Sequence, residues 1–339
     1  MRGAALGALL LGCTAQAGDG TSPLGPPGGG AGPAAGGAGN GGSSGSAGSA
    51  GTTSTTPDIG VPPVGRLNRT QYDNTVRDLL GTQLHPAADG FPADELVLGF
   101  DTIASALRVQ PEHVEKYLAA SDTLISELLA RPTSDPVRAK YFTCDVSTGA
   151  TCVGSVVRNL ASAAWRRPMT DAELAPYVTA AQAQKTVQLG LSVALRAVLT
   201  SANFLYRVEL DPNVDDQKPH ALSGYELATR LSYALWGTLP DAELRQAADS
   251  GALSTPDGVL KQARRLLDTG AGLTPLVDGF GAQWLNVNQV NVVTPDAIEY
   301  PKFDATLRAA MILEAKAFVR EFLQGKAPCR SCSTRTSRS

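Results

Sequence analysis

The sequence predicts a mainly α-helical protein whose tandem helical modules follow a disordered tether rich in glycine and serine. Two observations lead to this fold class. After Val64, apolar residues recur every three or four positions, which is the period of an amphipathic helix. Before that point, residues 18–60 are mostly Gly, Ser, Ala, Thr and Pro and contain no aromatic residue. No segment alternates apolar and polar residues for long enough to predict a strand.

The N-terminus has the pattern of a bacterial lipoprotein signal. Arg2 precedes a short apolar run, residues 3–12, whose last residue is a glycine directly before Cys13. We therefore expect residues 1–13 to be this signal, with lipid attached to Cys13. The protein would then be anchored to a membrane of the cell envelope, at the outer membrane or cell surface. The alternative is an ordinary secretory signal that happens to contain a cysteine.

Residues 14–63 are predicted to form the disordered linker, because their composition offers too little apolar surface to offset the entropy of ordering. Two short motifs fall inside it. Residues 41–45 match G-x-S-x-G and residues 37–42 match G-x-G-x-x-G. Both motifs need a strand before them and a helix after them, so neither match indicates a nucleophile or a dinucleotide site here.

The helices can be placed in order from their caps and apolar faces. The first is expected to begin at Thr70 and end at Gly81. Capping boxes that begin at Thr170 and Ser223 predict two later helices, and Thr255 precedes another. The expected inward positions are Tyr72, Val76, Leu79 and Leu80 in the first helix, Val114, Tyr117, Leu118, Ser121, Leu124, Ile125 and Leu128 in a helix that begins at Pro111, and Leu307, Met311, Glu314, Phe318 and Phe322 in the last helix.

Three stretches of sequence resemble a known set of domains. Residues 66–81 read RLNRTQYDNTVRDLLG, residues 164–173 read AWRRPMTDAE, and residues 222–236 read LSGYELATRLSYALW. These strings are similar to the planctomycete-specific domains, also found in myxobacteria, that belong to the domain-of-unknown-function families 1587, 1595 and 1592. The resemblance implies three helical domains, at residues 64–130, 140–210 and 220–326.

The resemblance implies no activity, because none is established for these families. Their members often occur with c-type haem segments, which implies a cytochrome or another secreted protein as a partner and a redox-linked system. This chain lacks the Cys-x-x-Cys-His string that covalent haem requires, so we expect no cofactor and no metal in it.

The last residues differ in character from the rest of the chain. Residues 329–339 contain two cysteines, three arginines and several Ser and Thr but no large apolar residue. When these residues are back-translated with plausible codons and read in a shifted frame, the resulting amino-acid string is like the expected continuation of the family sequence. We therefore expect residues 327–339 to be a frameshifted tail of a truncated product. The alternative is a zinc or redox pair at Cys329 and Cys332, although a second Cys/His pair to complete four ligands is missing.

Cys144 and Cys152 are separated by a turn-prone loop. Outside the cytoplasm a disulfide is the natural expectation for such a pair, and closing the loop would stabilise the fold by about 2–3 kcal/mol. Two free thiols are the alternative. The three histidines, His85, His113 and His220, lack metal-ligand spacing, and we expect surface or capping roles for them.

Three charged residues stand out against their apolar surroundings. Glu314 falls on the expected apolar face of the last helix, and Arg166 and Arg167 follow Trp165 at a helix end. A half-buried carboxylate could act as a general acid or base, but a structural ion pair between helices is the favoured interpretation. The three tryptophans could form a surface on which glycans stack. Because Trp165, Trp236 and Trp284 lie at apolar helical spacing, we expect them in the core instead.

The formal net charge is −3, which excludes a basic surface for nucleic acid. The sequence thus predicts a surface-anchored helical scaffold or binding module for an unknown ligand, within a larger secreted system, and no catalysis by this chain itself. The alternative is an enzyme or carbohydrate-associated protein whose catalytic or haem-binding part lies in missing C-terminal domains.

Overall fold

The computed structural model describes residues 64–210, 220–269 and 273–324, and these residues confirm a mainly α-helical fold. They all belong to one compact unit. The predicted signal, the linker and the C-terminal tail lie outside the described residues, and so do Cys13 and the Cys329–Cys332 pair.

The β structure of the described residues is limited to two isolated antiparallel bridges, Arg66 with Tyr206 and Val97 with Phe100. A π-helical turn, Val277–Gly281, lies within the C-terminal part. The α-helices in chain order are α1 Arg69–Leu80, α2 Pro86–Gly90, α3 Pro111–Ala130, α4 Pro136–Tyr141, α5 Ala150–Ala164, α6 Asp171–Gln182, α7 Val187–Thr200, α8 Ala202–Leu205, α9 Gly224–Leu235, α10 Ala242–Asp249, α11 Pro256–Asp268, α12 Leu273–Leu276, α13 Ala282–Trp284 and α14 Ala305–Leu323.

Helix α1 begins with a reciprocal cap that lies two residues before the capping position predicted from the sequence. Asn68, not Thr70, is the capping residue, because its side chain accepts a hydrogen bond from the backbone N–H of Gln71. The Gln71 side chain in turn accepts one from the backbone N–H of Asn68. The helix ends at Gly81, whose φ of 62° is the left-handed conformation that glycine adopts without strain. The expected inward residues Tyr72, Val76, Leu79 and Leu80 are all buried.

The buried face of α3 differs from the prediction in its first two turns. Tyr117 is buried, but Val114 and Leu118 are exposed. His113 and Ala120 are buried in their place. Helix α3 packs against α7, and this contact turns the stripe that contains His113, Tyr117 and Ala120 inward. The two misplaced residues lie one position away, on the flank of that stripe.

Helices α5, α6 and α7 pack on one another and form the second module. Thr170 caps α6 with Glu173, as predicted. Helices α6 and α7 approach very closely at Gly190, where an added Cβ would lie 2.4 Å from the carbonyl oxygen of Ala181. A side chain at residue 190 would force these two helices apart.

The first two modules share one hydrophobic core. Buried side chains of α1 and α3 lie in the same cluster as those of α5 and α7. The backbone connects the two modules as well. The N–H of Leu67 donates to the carbonyl of Leu205 at 2.8 Å, and the N–H of Arg207 donates to the carbonyl of Gly65 at 2.9 Å. The end of the second module therefore pairs with the start of the first.

The third module begins with α9, which Ser223 and Glu226 cap as predicted. Helices α9, α10 and α11 enclose a second, smaller core. Side-chain hydrogen bonds connect the module to α1. Thr238 Oγ1 donates to Asp78 Oδ2 at 2.7 Å, and Asn74 Nδ2 donates to the carbonyl of Gly237 at 3.4 Å.

The last helix, α14, is largely exposed, contrary to the prediction from its spacing. Leu307, Met311 and Phe318 are each at least 40% exposed, and Val319 is the residue of α14 that is buried. Val319 packs against Gly281, where an added Cβ would lie 2.5 Å from a Val319 methyl carbon. Within the described ranges, no helix is long and apolar enough to span a membrane.

Candidate functional site

Arg166 lies at the point where the second module meets the third. It follows the C-terminal end of α5 in a left-handed conformation, with φ of 62°, and only 3% of its surface is exposed. Its guanidinium donates to the carbonyl oxygens of Asn203, Phe204 and Tyr206. A buried guanidinium is costly unless its donors are satisfied, and these carbonyls satisfy them.

A directional chain of hydrogen bonds runs from Arg166 through all three modules. Arg166 Nη1 donates to the hydroxyl of Tyr233 at 3.3 Å, and this hydroxyl lies 2.8 Å from Thr75 Oγ1. Thr75 Oγ1 donates to the carbonyl of Gln71 at 2.6 Å, so the Tyr233 hydroxyl must be the donor to Thr75. We call these four residues, Arg166, Tyr233, Thr75 and Gln71, the junction. Their roles here are structural.

The neighbouring Arg167 makes the ion pair that the sequence suggested, but with a carboxylate of its own module. Arg167 Nη2 lies 2.6 Å from Glu173 Oε1. The Arg167 guanidinium, followed by the hydrogen bonds from Thr170, lowers the pKa of Glu173 to about 2. Glu173 is also the capping-box residue of α6, so this pair stabilises the start of that helix.

Glu314 does not have the environment that its sequence position suggested. It is exposed, and it forms no ion pair with Arg166, Arg167 or any other described residue. The reason is that α14 contacts the rest of the protein through the side that carries Val319. The predicted half-buried carboxylate is therefore wrong for Glu314.

A second buried polar cluster, which sequence analysis missed, holds the first module together. Arg66 is 3% exposed, and its Nη2 lies 2.8 Å from Asp94 Oδ1 and 3.3 Å from His113 Nε2. Asp94 Oδ2 also accepts the backbone N–H of Arg69 at 2.6 Å. The spacing of residues in the sequence does not predict this cluster, because Asp94 lies in a loop that is distant from Arg66 in the chain.

His113 is buried, so the expected surface role is wrong, although the expected capping role is present. Its Nδ1 accepts the backbone N–H of Gln110 at 3.3 Å. Burial lowers the pKa of His113, and the Arg66 guanidinium lowers it further, whereas the carboxylates of Asp94 and Glu112 oppose this. His85 and His220 are exposed.

The structure joins Cys144 and Cys152 in a disulfide, with 5.8 Å between their Cα atoms. The bond ties the segment after α4 to the first turn of α5. Cys152 is buried in the shared core of the first two modules, so the disulfide anchors this loop to that core.

The feature most suited to binding is a row of aromatic rings on the surface. The rings of Phe100 and Phe280 stack with centroids 5.9 Å apart and planes 22° apart. Phe280 and Trp284 continue the row, at 6.0 Å and 12°. We call Phe100, Phe280 and Trp284 the aromatic stack. Trp284 is 64% exposed, so its predicted core position is wrong, whereas Trp165 is buried as expected and Trp236 is half-buried.

Polar contacts of residues close to the rings in the chain hold the aromatic stack in place. The backbone N–H of Asp101 donates to Gln283 Oε1 at 3.2 Å, which connects the Phe100 loop of the first module to α13. Lys316 of α14 lies 3.0 Å from Asp278, two residues before Phe280. The rings therefore belong to three segments that are each fixed by contacts independent of any ligand.

The described residues contain no group of three or more His, Cys, Asp or Glu side chains that could hold a metal ion. Two shallow clefts lie elsewhere, one along the charged face of α11 and one between Trp165 and α9. The second cleft is lined by His220, Ser223 and Glu226, of which Ser223 and Glu226 are engaged with each other in the capping box of α9.

Comparison with protein families identifies three matches along the chain. Residues 66–130 match a family described as a protein of unknown function (DUF1587), residues 152–209 match DUF1595, and residues 222–337 match DUF1592. No curated protein and no solved structure matches the chain.

Replacing Tyr233 with Phe tests the junction. The variant loses the hydroxyl that connects Arg166 to Thr75, and we expect the free energy of unfolding in urea to fall by about 1–2 kcal/mol. Tyr225→Phe is the matched control, because the Tyr225 hydroxyl bonds to Asp249 at an exposed site and its loss should cost less than about 0.5 kcal/mol. Equal losses in the two variants would contradict the role of the junction.

The buried state of His113 predicts a pH dependence of stability. Because its pKa is lowered in the folded protein, stability is complete above the ordinary pKa of about 6.5 and falls as the pH decreases below it. A neutral imidazole has one acceptor nitrogen, here Nδ1, and protonation would remove this acceptor from the backbone N–H of Gln110. We expect urea unfolding between about pH 7 and 5 to show this loss, and His113→Gln to show a flatter pH profile. Parallel profiles would rule out His113 as the source.

Proposed function

Since the chain carries the DUF1587, DUF1595 and DUF1592 domains in tandem, its function has to be argued from its own surface, and we propose that it is a binding module of the cell envelope. In this proposal the aromatic stack is the binding surface. The single observation that carries it is the 64% exposure of Trp284 in a row of rings that the protein itself holds in place. Exposed apolar surface of this kind marks interaction sites.

The position of the aromatic stack across two modules supports a scaffold whose binding surface is formed before a ligand binds. Phe100 comes from the first module, whereas Phe280 and Trp284 come from the third. The Asp101–Gln283 hydrogen bond connects these modules through the residues next to Phe100 and Trp284 in the chain. A surface that is already ordered loses little entropy when it binds, which favours a binding role.

Attachment to the envelope is the second part of the proposal. The pattern around Cys13 supports lipid attachment, and the Cys144–Cys152 disulfide supports an oxidising compartment. The residues between Cys13 and Val64 have the composition of a flexible linker, so they could separate the helical body from a membrane. A secreted cytochrome as partner stays a prediction of the family resemblance alone.

Replacing Cys13 with Ser tests the anchor. We expect cells given labelled palmitate to label the unaltered chain, and the variant to lose both the label and its place in the membrane fraction. Cys329→Ser is the control and should keep both. If the Cys13 variant is labelled and sediments like the unaltered chain, lipid attachment at this cysteine is refuted.

Replacing Trp284 with Ala tests the binding surface. The full chain, purified in detergent, should sediment with delipidated envelope material from the producing cell, in which its lipid has no membrane to enter, and the variant should bind at least about tenfold more weakly because an exposed aromatic contact is lost. Tyr300→Ala is a matched control, since Tyr300 is 63% exposed and lies outside the aromatic stack. If Trp284→Ala binds as well as the unaltered chain, or if Tyr300→Ala loses as much, the aromatic stack is not the binding surface.

A further inference from the structure

The segment that carries two rings of the aromatic stack has an unusual composition. Between Asp278 and Asp296 there is no charged residue. The same segment contains five side-chain amides, at Gln283, Asn286, Asn288, Gln289 and Asn291. A surface segment of this length without charge is unexpected in a chain in which 18% of the residues are charged.

The amides of this segment are available to a ligand. Asn286, Asn288, Gln289 and Asn291 are exposed, and within the described ranges their side chains make no hydrogen bond. An amide offers both a donor and an acceptor, which is the pairing that a hydroxyl group requires. The segment therefore combines aromatic faces with free, neutral hydrogen-bonding groups.

The segment is held in position by α14. Arg308 donates to the carbonyl oxygens of Val290 and Val293, and its guanidinium lies 4.7 Å from the centre of the Phe303 ring. These bonds fix the backbone that follows the exposed amides. Both Nη atoms of Arg308 thereby donate to backbone carbonyls of this segment.

We propose, building on the proposed binding function, that the ligand of the aromatic stack is a neutral glycan of the cell surface. The apolar C–H face of a sugar ring matches an exposed aromatic face, and its hydroxyls match the free amides. Because the three rings stack on one another about 6 Å apart, their inner faces are covered, and Trp284 at the exposed end of the stack offers its ring to a sugar.

The charges around the stack favour a neutral glycan over an anionic one. Asp101 follows Phe100 directly, and its carboxylate would repel acidic sugars. Lys316 is paired with Asp278 at 3.0 Å and is not free to bind an anion. An anionic membrane is disfavoured for the same reason, because it requires unpaired basic residues near the apolar surface.

The test uses the full chain and the same envelope material as above, treated in two ways before sedimentation. Mild periodate oxidises the vicinal diols of sugars, whereas a protease removes the protein component. We expect binding that depends on Trp284 to survive protease treatment and to fall at least about tenfold after periodate. Raising the salt concentration to about 1 M should change this binding less than twofold, because a neutral ligand is insensitive to ionic screening.

The outcomes separate the two proposals. Binding that depends on Trp284 but is abolished by protease identifies a protein ligand, and it overturns the glycan inference while the proposed binding function stands. Binding that survives periodate, or that salt abolishes, overturns the neutral glycan in the same way. If the chain and Trp284→Ala sediment equally before any treatment, the proposed function itself fails.

Discussion

Burial of the Arg166 guanidinium is the constraint on which the relative position of the modules depends. A guanidinium removed from water costs several kcal/mol unless each donor finds an acceptor. Here the acceptors are the carbonyls of residues 203–206 and the hydroxyl of Tyr233. The chain after α7 must therefore run past Arg166, and α9 must place Tyr233 beside it. The left-handed backbone at Arg166 is a local cost that these bonds offset.

Residues 203–206, some of whose carbonyls Arg166 binds, also connect to the first module and, through it, to the surface. Tyr206, whose carbonyl Arg166 binds, pairs through its backbone with Arg66. Arg66 is buried and holds Asp94, which begins the loop that leads to Phe100. Two buried arginines thus connect the meeting point of the modules to one end of the aromatic stack, and Arg66 Nε is the buried donor of this pair that has no partner among the described residues.

Local sequence patterns correctly predicted the features of the structure that depend on residues close together in the chain. The helical fold, the buried face of α1 and the capping boxes at Thr170 and Ser223 follow from spacing and hydrogen bonds within one turn. The prediction of burial from sequence failed where burial depends on which part of the protein packs against the residue. Apolar spacing in α14 and at Trp284 indicated a core position, but Leu307, Met311 and Phe318 of α14 and the ring of Trp284 are largely exposed. Arg66 and His113 were missed for the converse reason, because burial of a polar side chain depends on partners from distant segments.

The position of the aromatic stack across two modules has a thermodynamic consequence. Phe100 and Trp284 come together only when the first and third modules are docked, because the Asp101–Gln283 hydrogen bond and the stacked Phe280 join their segments. A ligand that contacts both ends of the row binds the docked arrangement and not a separated one. By linkage, such a ligand stabilises the docking of the modules by a free energy that rises with the logarithm of its concentration once that concentration exceeds the dissociation constant. Binding at the surface and assembly of the helical body are therefore parts of one equilibrium, and the buried arginines influence both.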